Sequence, residues 1–171
     1  MSEKLIQLVD ENDQPVGSAT MQQAWKDGLT HRIVRIMVED SHGKVLLQKR
    51  AVNKGLYPGC WDNSAAGHVD AGESYDFAAA RELGEEIGLK NAPLQGIGTY
   101  FQDGMFEQRK LRRFTKVYKT IASSNTKFKV QANEVARVRW FSVSEVKELL
   151  VDYPDQVSDG LVDVFEKYYS K

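Results

Sequence analysis

The stretch that most constrains this chain runs from Gly67 to Leu89, GHVDAGESYDFAAARELGEEIGL. Residues 74–87 contain no proline and are rich in Ala, Leu and Glu, which predicts a helix. Ser74, with Glu73 and Asp76 beside it, supplies the capping and negative charge that the exposed N–H groups of a helix start favour. Gly88 is the stop signal. Helical spacing assigns Phe77, Ala80, Leu83 or Gly84, and Ile87 to the inward face. Glu82, Glu85 and Glu86 follow i, i+3, i+4 spacing and fall together on a separate face. Like charges so placed repel by about 0.2–0.5 kcal/mol per pair, which a solvated acidic face tolerates. The alternative reading of this face is a site for a hard divalent cation, Mg2+ or Mn2+, which takes carboxylate oxygens and keeps water and phosphate oxygens as its other ligands.

Gly67, Glu73, Arg81, Glu82, Leu83, Glu85, Glu86, Gly88 and Leu89 stand in fixed register. In that spacing the stretch resembles the complete signature of the Nudix hydrolases. The resemblance implies a loop–helix–loop that holds a divalent metal against a diphosphate. It implies Glu82 and Glu86 as the main metal ligands, Glu85 beside them as a ligand or part of the base machinery, and the Gly67 carbonyl in the metal shell. Glu73 and Arg81 are implied as a supporting salt bridge. The implied chemistry is attack of water on phosphorus, with the metal lowering the water's pKa and neutralising phosphate charge. Gly84 occupies a free position of the signature and costs about 1 kcal/mol relative to Ala in a helix interior.

A second resemblance covers the N-terminal half. VDEND followed by VG, the His31-Arg32 pair and KGLYPGCWDNSAAGHVDAGESY are similar to segments of isopentenyl-diphosphate isomerases and of Nudix hydrolases close to them. In the isomerases, histidines at positions like His31 and His68 serve the metal. By residue type alone, a histidine before a strand reads as a capping or packing residue. Those isomerases carry an essential cysteine just before the Gly-His pair and an eroded hydrolase signature. Here that position is Ala66, Cys60 lies six residues upstream, and the signature is whole. An alkene proton shift needs a cysteine–glutamate acid/base pair, whereas hydrolysis needs the carboxylate cluster. Hydrolysis is therefore the first expectation. Isopentenyl-diphosphate isomerisation is the alternative, and a non-catalytic binding domain of the same fold is the third reading.

Turn signals divide the rest. Leu5–Val9 and 15–19 read as a hairpin, 21–27 as a short helix ended by Gly28, and 33–39 and 45–48 as paired strands. Lys49, Arg50 and Lys54 form either a solvated basic edge or a contact for substrate phosphate. Strands are expected over 94–102, with a break at Asp103-Gly104, over 109–122, and over 136–141, with a short apolar segment at 128–130. The basic run RKLRR at 109–113 reads as a solvated face or as a phosphate-steering patch. Glu134, in NEV ahead of Trp140, is the candidate carboxylate outside the signature, as metal ligand or general base; its plain reading is a surface glutamate. Ser142 and Glu145 have capping-box spacing for a helix through Leu149, and 159–168 is a final amphipathic helix.

The chain of 171 residues, 42% hydrophobic and 27% charged, suits one domain with a real core. The fold expected from the resemblance is α/β, an α/β/α sandwich with a mixed sheet and an N-terminal β-hairpin extension. It is a single domain over 1–171, with the extension at 1–29, the core at 30–155 and a C-terminal helix at 156–171. A net charge of −1 gives no general attraction to nucleic acid or an acidic membrane, so no stable nucleic-acid partner is expected. A lone Cys60 and the absence of a signal-like start lead to the expectation of a cytoplasmic protein. The expected partner is a small-molecule diphosphate. The edge hairpin is a surface on which a homodimer could form.

Overall fold

The computed structural model describes residues 3–170. The chain runs β1 (Leu5–Val9), β2 (Pro15–Thr20), α1 (Met21–Asp27), β3 (His31–Glu39), β4 (Val45–Arg50), β5 (Trp61–Asp62), β6 (Ala65–His68), α2 (Tyr75–Ile87), β7 (Gln95–Phe106), β8 (Arg109–Ile121), β9 (Val135–Phe141), α3 (Val143–Asp152) and α4 (Asp159–Tyr168), with a 3-10 turn at Pro154–Gln156. Among the described residues no helix is long and apolar enough to cross a membrane.

β3 is the strand on which the sheet is assembled. Its β-branched residues are buried on both faces, as a central strand requires. One edge of β3 pairs in parallel with β8 along its whole length, from His31 opposite Arg113 to Glu39 opposite Ile121. The antiparallel edge is divided. β6 takes Ile33–Ile36, while β4 takes only Val38 and Glu39. Past that point β4 leaves β3 and pairs with β5, while its other edge holds β9 from Val45 to Arg50. The segment β5–β6 thus fills a fork between two strands. Ser64 stitches the fork closed, because its hydroxyl accepts from the Val38 N–H at 2.8 Å and donates to the Leu46 carbonyl.

Alternation along the strands sends two sets of side chains to opposite faces. Val34, Ile36, Val38 and Leu46 meet Ala78, Ala79, Leu83 and Ile87 of α2. Met37, Val45, Leu47 and Val117 meet Val146 of α3 and Leu161, Val164 and Phe165 of α4. The result is the expected α/β/α sandwich with a mixed sheet, and β1–β2 extend it as an antiparallel hairpin.

Two local expectations are corrected. The inward face of α2 carries Ala78, Ala79, Glu82, Leu83, Glu86 and Ile87, while Phe77 is 63% exposed. Hydrophobic spacing favours the bulky Phe77, but the small Ala78 and Ala79 let the helix approach the sheet closely, and that phase turns two glutamates inward. Asp103-Gly104 is no break, since β7 continues to Phe106 with Asp103 opposite Arg112 and an ion pair between them at 3.3 Å. Cross-strand pairing outweighs the local turn preference there, and the turn falls at Glu107, with φ 54°. Residues 128–130 are the short apolar segment, and Phe128 packs on the core. They cap α2, with the Lys129 N–H bonded to the Ile87 carbonyl at 3.1 Å and the Gln131 N–H to the Glu86 carbonyl at 3.0 Å.

Gly84 lies inside α2 with open space around it; a Cβ there would meet only Lys90, at an ordinary 3.6 Å. Gly84→Ala is expected to stabilise the protein by about 1 kcal/mol. Thermal unfolding should record this as a rise of roughly 2–4 °C.

Candidate active site

α2 carries its glutamates into the fork. Glu82 and Glu86 are 8% and 6% exposed, whereas Glu85 lies on the solvent side. Glu86 Oε2 accepts from Gln48 Nε2 on β4 at 2.7 Å and from the Ala66 N–H on β6 at 3.1 Å, so one carboxylate spans both arms of the fork. Burial, and then the neighbouring Glu82, push Glu86 up to about 8. Burial also raises Glu82, against the lowering effect of Arg81. Glu82 packs against Gly67, where a Cβ would fall 2.2 Å from its carboxylate. The glycine is required because the acid occupies the space a side chain would fill.

Arg81 ties this helix to the loop before it. Its Nε and Nη2 donate to the two oxygens of Glu73 at 2.8 and 2.9 Å, a bidentate pair. Nη2 also reaches the His68 carbonyl at 3.0 Å, and Nη1 donates to Glu82 at 2.6 Å and to Glu85 at 3.3 Å. One guanidinium therefore sets the positions of three acids and of the end of β6.

These groups fit a hard divalent cation. The donors are oxygens, two carboxylates are buried side by side, and Gly67 lets the Glu82 carboxylate lie against the backbone. Among the described residues no three His, Cys, Asp or Glu side chains form a ready cage for a metal. Mg2+ is commonly bound through one or two carboxylates, with water and substrate phosphate completing its shell.

A cavity of about 1330 Å³ joins the remaining candidates. Gly67, Glu82, Glu85, Glu86 and Glu134 all line it. Glu134 is ion-paired with Lys54, which also lines it. Of the three cations after β4, Arg50 and Lys54 face the cavity, while the Lys49 ammonium sits 5.2 Å above the Trp61 ring. The RKLRR run is divided by the pleat. Arg109 and Arg113 line the cavity, Leu111 is buried on the same side, and Lys110 and Arg112 are exposed.

His31 and His68 come together with ring centroids 5.3 Å apart. His31 Nδ1 is 2.9 Å from the Leu29 carbonyl, which leaves its Nε2 as an acceptor. Burial chiefly pushes His31 down to about 4 and His68 well below its ordinary value, and Arg113 lowers both further. The pair is thus neutral at neutral pH, with a guanidinium close by.

Several residues at the cavity do not stand out in the sequence. Gln48 holds Glu86 at 1% exposure, and Arg35, Asp62, Arg113 and Asp159 form a linked set of charges along one wall. Their signal is local: a charge or amide within an apolar strand, Arg35 in IVRIM and Gln48 in VLLQ.

The NUDIX domain family profile matches residues 29–159. An uncharacterized Nudix hydrolase of Pseudomonas aeruginosa is 36% identical over 137 residues, which are 80% of this chain and 78% of that protein. An isopentenyl-diphosphate Delta-isomerase of Burkholderia multivorans is 35% identical over 155 residues, 90% of this chain and 86% of that one. Among solved structures, a Deinococcus radiodurans protein superposes with a TM-score of 0.80 over 97% of this chain and 99% of its own, at 22% identity, which bears on the fold. With the whole signature wrapped around the forked sheet, and with a family match covering most of its length, this chain belongs to the Nudix hydrolase family.

Proposed function

We propose that this protein hydrolyses a diphosphate linkage in a nucleoside diphosphate derivative or a similar compound, with Mg2+ or Mn2+ held by Glu82 and Glu86. The observation that carries the reading is the pair of buried carboxylates set against Gly67 in a cavity that also presents Arg50, Lys54, Arg109 and Arg113. When bound, the metal polarises water and neutralises phosphate charge. The chain's own groups do the rest. Gln48 and the Ala66 N–H hold Glu86 in place, and Arg81 aligns Glu82 and Glu85. Glu85 and Glu134 are the carboxylates placed to accept a proton from the attacking water. Lys54, now paired with Glu134, is placed to meet a phosphate oxygen. A cytoplasmic setting goes with the lone Cys60.

Similarity to isopentenyl-diphosphate isomerases over 90% of the chain keeps that activity as the second reading. Against it, the only cysteine, Cys60, contacts the Asp155 carbonyl at 3.5 Å and is not among the cavity residues. Ala66, beside Glu86, offers no acid.

The test is phosphate or pyrophosphate release from nucleoside diphosphate derivatives, dinucleotide cofactors and prenyl diphosphates, each with and without Mg2+. Metal-dependent release from one class supports the proposal. Silence across the panel, with a ligand still bound, would replace it with a binding domain, and isomerisation of isopentenyl diphosphate would replace it with the second reading. Gly67→Ala gives a further check. Its methyl group displaces the Glu82 carboxylate, so turnover should fall by roughly 10–100-fold, the range for losing the support of a metal ligand. Circular dichroism should record an intact fold, because the clash is with the movable end of a side chain.

A further inference from the structure

The sheet face lining the cavity carries a row of charges beyond the carboxylate pair Glu82 and Glu86. Parallel pairing sets Arg113 beside His31, and the two-residue period of β3 brings His31, Ile33 and Arg35 to that same face. The charges form an alternating chain. Arg50 Nη1 is 3.1 Å from Asp62, Asp62 is 3.4 Å from Arg35, Arg35 is 3.9 Å from Asp159, and Asp159 is 3.0 Å from Arg113. All five residues line the cavity. The chain begins and ends in arginine, with three guanidinium groups against two carboxylates. Asp163 on α4 acts on Arg35 and Arg113 from farther away, and Lys167 offsets it.

The Arg113 end has donors to give. A guanidinium has five N–H groups. Arg113 is 4% exposed, donates from Nε to Gln102 at 2.7 Å and from Nη2 to Asp159 at 3.0 Å, and makes no bond from Nη1 among the described residues. Arg35, at 5% exposure, has its Nε buried without a partner. Burying the Arg35 Nε–H with its bond unmade costs free energy, and an acceptor oxygen entering the cavity recovers it. Burial and then the nearby Arg35 hold Arg113 below the usual guanidinium range, while the carboxylates around Arg35 hold that group above it. Burial pushes the Tyr57 phenol up to about 12, so it stays a neutral donor.

We propose that Arg113, flanked by Arg35, is an anion seat for a phosphate or carboxylate group of the substrate other than the diphosphate at the metal carboxylates. A prenyl tail has no acceptor to offer these donors, so the seat selects substrates that carry a second anionic group. Assigning the anion to a substrate rests on the hydrolase reading; the seat itself does not.

The first arm measures binding of inorganic phosphate by calorimetry in EDTA, where the carboxylate pair has no metal and takes no part. The wild-type protein should bind phosphate. Arg113→Gln should weaken binding by about 10–100-fold, as expected for hydrogen bonds to a charged group, and Arg113→Lys should restore part of the loss. Lys49→Met, whose ammonium sits over the Trp61 ring and outside the cavity, should leave it within about threefold. Unchanged binding in Arg113→Gln, or loss in Lys54→Met alone, would overturn the seat. If Arg113→Gln does not fold, the wild-type protein answers instead. The Arg113 Nε–H resonance, assigned with Arg113→Lys, should shift as phosphate is added, and a resonance that stays fixed overturns the seat. The second arm compares kcat/KM for diphosphate substrates with and without a further anionic group. Arg113→Gln should penalise only the first kind. An equal penalty on both would overturn the assignment to a substrate group and leave free phosphate as the occupant. Phosphate binding without any hydrolysis would leave the seat standing while the hydrolase reading fell.

Discussion

Glu86→Gln should leave a folded protein that turns over its substrate about 10³-fold more slowly, since a bound metal supplies several kcal/mol of transition-state stabilisation and each 1.36 kcal/mol is tenfold in rate. The amide has the shape of the carboxylate and can still accept from Gln48 or the Ala66 N–H. It lacks the charge that a divalent cation needs. The wild-type side chain is a desolvated acid raised to about 8 beside Glu82. Raised that far, it is mostly protonated at neutral pH without metal, so a neutral isostere should not lower the stability of the metal-free protein. kcat measured beside a thermal melt separates these effects. Unchanged turnover would refute the placing of metal at this pair. Glu85→Gln is the internal comparison. Its side chain is exposed and shares only the weaker 3.3 Å contact with Arg81, so the loss should be smaller.

The second large effect concerns folding. Asp62→Ala should destabilise the protein by about 3–5 kcal/mol, the usual result of removing one partner from a buried ion pair. At about 2–4 °C per kcal/mol, the melting temperature should drop by roughly 6–20 °C. Asp62 is 2% exposed and neutralises both Arg35 and Arg50. It also accepts from the Asn63 N–H at 2.8 Å and from Ser158 Oγ at 2.7 Å. Ser158 is the N-cap of α4, so the loss reaches from β5 across to the last helix. Arg35 cannot relax toward that helix, because Gly160 packs so closely on its guanidinium that a Cβ would lie 1.8 Å away. A melt within 2 °C of wild type would refute the claim that this network carries buried charge.

What can be read along the chain is what depends on three or four consecutive residues. The α1 span and its Gly28 cap, the Ser74 cap and Gly88 stop of α2, the Ser142–Glu145 capping box and the α4 span all appear where residue types place them. Each rests on a backbone group meeting a side chain or a left-handed glycine within one helical turn. The order of the acids along α2 is likewise inherent in the spacing of Glu82, Glu85 and Glu86. Turn propensity is legible but weaker, and at Asp103-Gly104 an ion pair across two strands overrides it.

Which acids are buried is decided by the sheet. The phase of α2 depends on how closely Ala78 and Ala79 approach β3 and β6, and the hydrophobic pattern of the helix contains no account of that approach. The partners of the site are equally out of local reach. Gln48 meets Glu86 across 38 residues, Lys54 meets Glu134 across 80 and Ser158 meets Asp62 across 96. Register along β3 makes the first, since β6 and β4 share one of its edges and the fork between them is where Glu86 enters; β4–β9 pairing makes the second and the Trp61–Val157 bridge the third. The residue types alone determined that this chain carries a carboxylate helix of the Nudix kind. Only the packing of that helix into a divided strand edge decided that two of its glutamates leave water, that Gln48 and Ala66 receive one of them, and that a wall of arginines faces them.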